Sequence, residues 1–248
     1  MSDPTHLETL LQERTRFRRL QHVASCPSTQ DLAAADPAPG DGIYWADHQT
    51  RGRGRQQREW HDEPGVDLAL TLRVRCRLPQ PLALPAALPV AVLLACEEVA
   101  GRPLTVKWPN DVYCAGRKLS GVLIDAGVGN ADTFLIGIGV NVNRVRFPPD
   151  LETRATSLAL ATGHEVDRED LLLRIATRVD SMLQDLAVRR HDRLEAVFRD
   201  RLGLLGQRVR VEATAVHEGV LTGLDFERLV LDGTRAVPLA VVRSLQRG

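Results

Sequence analysis

The 248-residue sequence predicts an α+β fold: a mixed, mostly antiparallel sheet with flanking helices over residues 1–203, then a small β-barrel over residues 204–248. Three observations predict it. Four short strand-like runs follow one another between Thr105 and Asn143 with no helical stretch between them, which makes a meander. Leu171, Leu172, Ile175, Val179, Met182, Leu183 and Leu186 recur at helical spacing and build one apolar face. After Gly203 and Gly206 the chain changes to short alternating runs separated by turn residues, the pattern of a small barrel.

Composition narrows the function classes. Lys plus Arg equals Asp plus Glu at 32 each, so no overall field draws the chain to nucleic acid or to an anionic membrane. Cys26, Cys76, Cys96 and Cys114 stand singly, without the paired spacing of a zinc site or a disulfide framework, which fits a reducing cytoplasm. Residues 1–20 lack the uninterrupted apolar core of a signal peptide. The most apolar run, Leu82 to Ala100, is broken by Pro85 and Pro89 and holds Glu97-Glu98, so it reads as a buried helix beginning near Pro89 and not as a membrane span.

In chain order, residues 1–20 read as a helix carrying Leu7, Leu10 and Leu11. A second helix starts at Ser28 or Thr29, where Ser28 and Asp31 resemble a capping box, and Pro37, Pro39 and Gly40 stop it. Ile43 to Ala46 is a short strand. Leu68, Leu70, Leu72 and Val74 alternate with Ala69, Thr71, Arg73 and Arg75 as a half-buried strand does. The meander strands are Thr105 to Trp108, Val112 to Cys114, Lys118 to Asp125 and Phe134 to Asn143, with Ala115-Gly116 and Gly129-Asn130 as turns. Asp167 caps the next helix, and another runs from His191 to Arg201. The barrel strands are Val209 to Val211, Gly219 to Leu224, Leu229 to Leu231 and Ala236 to Leu239.

Chemistry concentrates in four places. Gln49 to Trp60 carries Arg51, Arg53, Arg55 and Arg58 with Gly52 and Gly54. Guanidinium forks suit phosphate or carboxylate, and glycine permits close backbone approach, so the stretch is either an anion-binding loop or a solvated basic loop. Lys107-Trp108-Pro109-Asn110-Asp111 ends a strand in a turn that presents an amide and a carboxylate. Lys118 opens the next strand, with Gly121 leaving room beside it for a ligand, and the hairpin returns Lys118 to Asn110 and Asp111. From Ile136 to Asn143 the apolar residues share one face, while Gly137, Gly139, Asn141 and Asn143 share the other. Either another element packs on that glycine face, or a flat ligand lies across it and ends at the asparagine amides.

Together these stretches resemble the catalytic domain of biotin protein ligases, also called biotin–[acetyl-CoA-carboxylase] ligases, from about Ser25 to the C-terminus. The motifs that carry the resemblance are Ser28-Thr29, Gly52-Arg53-Gly54-Arg55 with Arg58 and Trp60, Lys107 to Asp111, Arg117 to Ile124, Gly137 to Asn143, and Ala155-Thr156-Ser157-Leu158. The resemblance implies a class II synthetase-like biotin/lipoate ligase domain with an SH3-like C-terminal barrel. It also implies the reaction: biotin and MgATP condense to biotinyl-5′-AMP, and a lysine of a biotin carboxyl carrier protein then takes the biotinyl group. By motif position, Ser28, Thr29, Gln49, Arg53, Lys118, Gly121, Gly137 and Gly139 would hold biotin. Arg53, Arg55, Arg58, Trp60, Asn110, Lys118 and Asn141 would hold ATP. Lys118, Arg53 and Asp111 would serve catalysis, and Asp111 would also help hold Mg²⁺.

Arg51, Gln30 and Gln56-Gln57 depart from the family pattern, which usually has alanine, asparagine and Arg-Gly there; this touches loop affinity and biotin contacts, not the reaction class. A lipoate or octanoate protein ligase shares the architecture and is the nearest alternative. A biotin-dependent transcriptional repressor is the other, although the residues before Ser28 are too few for a DNA-reading domain. The expectation is thus a cytoplasmic enzyme with no nucleic-acid or membrane partner, whose sheet edge could pair with a second copy.

Overall fold

Two antiparallel meanders and a cluster of apolar helices account for the fold, seen in a computed structural model that describes residues 4–38, 40–127 and 132–248. Pro39 and the expected Gly129-Asn130 turn lie outside these residues. The N-terminal helix α1 (Pro4–Arg14) buries Leu7 and Leu11 but ends six residues before the expected boundary. The chain then forms a strand that the sequence reading missed, β1 (Leu20–Val23). Next come α2 (Thr29–Ala35), β2 (Gly42–Ala46), β3 (Leu68–Arg75) and α3 (Leu84–Ala100). Helix α3 starts five residues before Pro89. Pro85 sits in its first turn, where a missing N–H has no partner to lose, and Gly101 closes the helix in a left-handed conformation, φ 61°.

The meander follows as β4 (Thr105–Lys107), β5 (Asp111–Cys114), β6 (Arg117–Ala126) and β7 (Thr133–Val140). The seven strands order as β1-β2-β3-β7-β6-β5-β4, with β1 parallel to β2 and every other pair antiparallel. Register decides what each face carries: Leu72 pairs with Ile136 and Leu70 with Ile138, while Thr71 pairs with Gly137 and Ala69 with Gly139. The first set joins the apolar core with α3 and with the helices that follow, α4 (Leu158–Thr162), α5 (Arg168–Ala187) and α6 (Asp192–Leu202). Helix α4 was absent from the sequence reading; Ser157 caps it by accepting from the Leu160 N–H.

The second face of β3 is buried as well, contrary to the half-buried reading, because α2 packs against it, with Thr29 meeting Thr71 and the carbonyls of Ala33 and Asp36 meeting Arg73. Arg73 is tolerated there because backbone carbonyls of Ala33, Asp36, Ala38 and Gly40 accept from its guanidinium, tying down the end of α2. Cys96 and Cys114 are buried in the core, and burial pushes the Cys96 thiol up to about 12.

The C-terminal sheet comprises β8 (Arg208–Glu212), β9 (Val216–Leu224), β10 (Arg228–Leu231), β11 (Arg235–Pro238) and β12 (Ser244–Arg247), ordered β11-β10-β9-β8-β12 and antiparallel throughout. The last strand is an addition to the expected four. This sheet has no core of its own apart from the main one: Phe226 packs tilted against Phe198 of α6, ring centres 5.6 Å apart, and Phe198 lies 6.1 Å from Trp108. The Trp108 indole N–H donates to the Val242 carbonyl at 3.0 Å, joining the second sheet to the turn before β5.

Candidate active site

The sheet face that carries Gly121, Gly137 and Gly139 forms the floor of a cleft of about 1080 Å³, and every site residue expected from the sequence lines it. They come from four separate stretches, brought together because β7 pairs with both β3 and β6.

One end is neutral and polar. Ser28 caps α2 by accepting from the Gln30 N–H at 3.3 Å, and no contact closes the expected capping box with Asp31. The Thr29 N–H donates to Gln49 Oε1 at 2.8 Å, and the Thr29 hydroxyl lies 3.1 Å from the same oxygen and 2.8 Å from that of Thr71. The Asp62 carboxylate accepts from the Gln49 N–H at 3.1 Å, so Gln49 is fixed through both backbone and side chain.

The Arg-rich stretch folds back over the cleft as a narrow hairpin. The Trp60 N–H donates to the Gly52 carbonyl at 3.0 Å, and the Gly54 N–H to the Arg58 carbonyl at 2.7 Å. A Cβ on Gly52 would lie 2.3 Å from the Trp60 carbonyl oxygen, so close backbone approach is what requires glycine here. Arg53 reaches Asp125 on β6 at 3.1 Å and Asp31 on α2 at 3.4 Å. Partial desolvation holds the Arg55 guanidinium below its ordinary value, against the pull of Asp111. Arg58 is exposed at the rim.

The glycine face is covered in this structure by two side chains. The Trp60 indole lies on Gly139, where a Cβ would come within 2.3 Å of the ring, and Gln30 lies on Gly137. The other end is charged: Lys118 Nζ stands 2.7 Å from Asp111 Oδ1, both over Gly121, and 5.9 Å from the Trp60 ring centre. Asn110 Nδ2 donates to the Val122 carbonyl at 2.7 Å.

The asparagines after β7 both bind backbone, and Asn141 also lines the cleft where the sequence expects a ligand contact. Asn141 Nδ2 donates to the Thr156 carbonyl at 2.9 Å, and Asn143 exchanges hydrogen bonds with the backbone of Val166. Both lie past the end of the strand, where backbone groups without ladder partners need side-chain amides. Asn141 thereby holds 154–156 beside β6, where Lys118 N–H donates to the Arg154 carbonyl and Thr156 N–H to the Lys118 carbonyl.

Several lining residues had no signal in the sequence. Arg144 is buried with Asp67, donates to the His61 carbonyl at 3.1 Å, and so fixes the chain just after Trp60. Burial raises the Asp67 carboxyl although Arg144 pulls it down. Arg243 of the C-terminal sheet also faces the cleft, as do Arg154 and Phe147. Asp67 lies 77 residues from Arg144, and no local spacing announces any of these positions.

Cationic groups around a floor without side chains can hold two anions close together while their mutual repulsion is offset. Among the described residues no three His, Cys, Asp or Glu side chains group to hold a metal ion.

Comparison with known proteins supplies the context. Residues 11–143, just over half the chain, match the biotin/lipoate A/B protein ligase family. The chain is 34% identical over 242 residues to a biotin–[acetyl-CoA-carboxylase] ligase of Mycobacterium tuberculosis, covering 89% of this chain and 86% of that one. It is 31% identical over 218 residues to the bifunctional ligase/repressor BirA of Bacillus subtilis, of which it spans 66%. Among solved structures it is similar to a biotin protein ligase from Aquifex aeolicus in complex with biotin and ATP, with a TM-score of 0.82 and 29% identity over 94% of this chain and all of that one.

Proposed function

This chain belongs to the biotin/lipoate A/B protein ligase family, and from that premise we propose that it activates biotin with ATP to biotinyl-5′-AMP and passes the biotinyl group to a lysine of a biotin carboxyl carrier protein. In the first step a carboxylate oxygen of biotin bonds to the α-phosphorus, the bond from that phosphorus to the bridging oxygen breaks, and pyrophosphate leaves. In the second, the carrier amine attacks the acyl carbon, the bond to AMP breaks, and the amine loses a proton.

The observation that carries the proposal is the meeting of Lys118 with the arginine hairpin over a glycine floor, each from a different part of the chain. Carboxylate and triphosphate repel one another, and a cation between them stabilises the charge that gathers on the α-phosphate. Lys118 would exchange Asp111 for these anions, and Arg53 would exchange Asp31 and Asp125. Asp111, once released, is a carboxylate placed to receive the carrier lysine's proton. The hairpin and Trp60 would keep water from the mixed anhydride. Ser28, Thr29 and Gln49 form a neutral polar corner suited to the ureido ring.

Magnesium would arrive with the nucleotide. Asp111 is a single carboxylate with one oxygen already against Lys118, which fits a hard ion that takes most of its ligands from phosphate and water. Biotin-dependent exchange of pyrophosphate into ATP, with Lys118→Ala as control, tests the proposal. Exchange driven better by lipoate or octanoate than by biotin would replace it with the sister activity.

A further inference from the structure

Arg144 is 4% and Asp67 1% exposed, and the two form an ion pair beside the cleft that Arg144 lines. Enclosing a charge pair is costly, and apolar residues of similar volume often serve stability as well, so packing alone gives no reason for it. What the pair does is tie two stretches of chain together. Asp67 accepts from the Val142 N–H at 3.1 Å through one oxygen, and from the Glu63 N–H at 2.9 Å and Arg144 through the other. Arg144 also donates to the His61 carbonyl at 3.1 Å, lies 5.2 Å from the Phe147 ring centre, and accepts on its own carbonyl from the Ser157 hydroxyl at 2.5 Å. Its Nε is buried without a hydrogen bond, 3.7 Å from the Glu63 carboxylate. One guanidinium thus joins residues 61–67 to residues 142–157.

Both stretches carry a wall of the cleft. His61 follows Trp60, whose indole covers Gly139, while Phe147, Arg154 and Ala155 line the cleft and the Arg154 carbonyl accepts from the Lys118 N–H. A planar fork shared between a carboxylate and a carbonyl fixes one arrangement of the two chains, which a point charge on a flexible stem does not. We propose that Arg144 is a positioning residue that holds the Trp60 end of the hairpin to the 144–157 wall, so that the two walls close on the adenylate and release it together. This rests on the ligase reading above and deepens it, assigning retention of the reactive intermediate to a buried pair that acts through Trp60.

The test follows the loss of biotinyl-5′-AMP formed from biotin and MgATP on the full-length protein and separated from excess substrate. Arg144→Lys keeps a charge beside Asp67 but cannot fork to the His61 carbonyl, and it should lose the adenylate about five-fold faster or more. Trp60→Ala should lose it faster as well. Because Arg144 acts through Trp60, the double variant should match Trp60→Ala within about two-fold, whereas two separate structural lesions would multiply. In wild type, hydrogen–deuterium exchange at 61–67 and at 142–147 should slow together when the adenylate forms, a measurement that holds even if the lysine variant fails to fold. Adenylate loss at the wild-type rate in Arg144→Lys, multiplied effects in the double variant, or slowing of one segment without the other would each overturn the assignment. Absence of adenylate in wild type would instead remove the ligase reading, and this inference with it.

Discussion

Lys118 Nζ and Asp111 Oδ1 stand 2.7 Å apart above Gly121, so the ammonium on β6 is already paired before any anion enters. On the proposed function, adenylation requires a change of partner. Lys118→Ala should lower biotin-dependent pyrophosphate exchange by about 100-fold or more. The pair is partly solvated, so the melting temperature should fall by no more than about 2 °C. Steady-state exchange and calorimetry on the same preparations check both halves.

The indole of Trp60 occupies the space above Gly139. In Gly139→Ala the added methyl would have to displace the ring, since their separation would be 2.3 Å. Tryptophan emission should move to longer wavelength, and the adenylate should be hydrolysed faster than in wild type. An unchanged emission maximum would show that the ring does not rest there.

Arg53 bridges Asp125 and Asp31, which fastens the hairpin to β6 and α2. Asp125→Asn should release one fastening and speed dissociation of biotinyl-5′-AMP several-fold. Arg51→Ala, which removes an exposed cation from the same hairpin, should also change that rate. Stopped-flow displacement of the adenylate measures both, and rates equal to wild type would dismiss the roles assigned to Asp125 and Arg51.

Glu98 on α3 accepts from Arg174 at 2.8 Å and Arg178 at 2.7 Å on α5. Partial burial opposes its ionisation, yet the hydrogen bonds from Arg178 and Arg174 outweigh burial and hold its carboxyl below the ordinary range. With a depressed folded-state pKa, the stabilisation is complete above the ordinary carboxylate range and is lost as pH falls through the folded value. Glu98→Gln should cost about 1 kcal/mol near neutral pH. Denaturant midpoints of variant and wild type should converge in acid; a gap that stays constant with pH would argue against the charge.

Much of this was legible from the sequence because the signals were local. Strict alternation from Ile136 to Val142 placed the glycines on one face, and the site residues expected from the motifs all line the cleft. Strand β1 was missed because Leu20-Gln21-His22-Val23 has little alternation, and its identity comes from parallel pairing with β2. Arg73 was read as solvent-facing because nothing nearby reveals that α2 covers it. That Asn141 and Asn143 also tie down 154–166 was not legible, because an amide at a strand end serves backbone and ligand equally well and the backbone partners lie 15 and 23 residues on. Arg144 and Asp67 are 77 residues apart, beyond the reach of any spacing argument.

The hydrogen bond from Trp108 to Val242 spans 134 residues and ends two positions before Asn110. Because Trp108 also packs on Phe198, which in turn meets Phe226, the C-terminal sheet acts as a buttress for the turn that presents Asn110 and Asp111. Removing it would leave an indole donor orphaned and a wall of the chamber unsupported. The two sheets are therefore mechanically one unit, and loosening the smaller should be felt as lost alignment of the larger one's reactive groups.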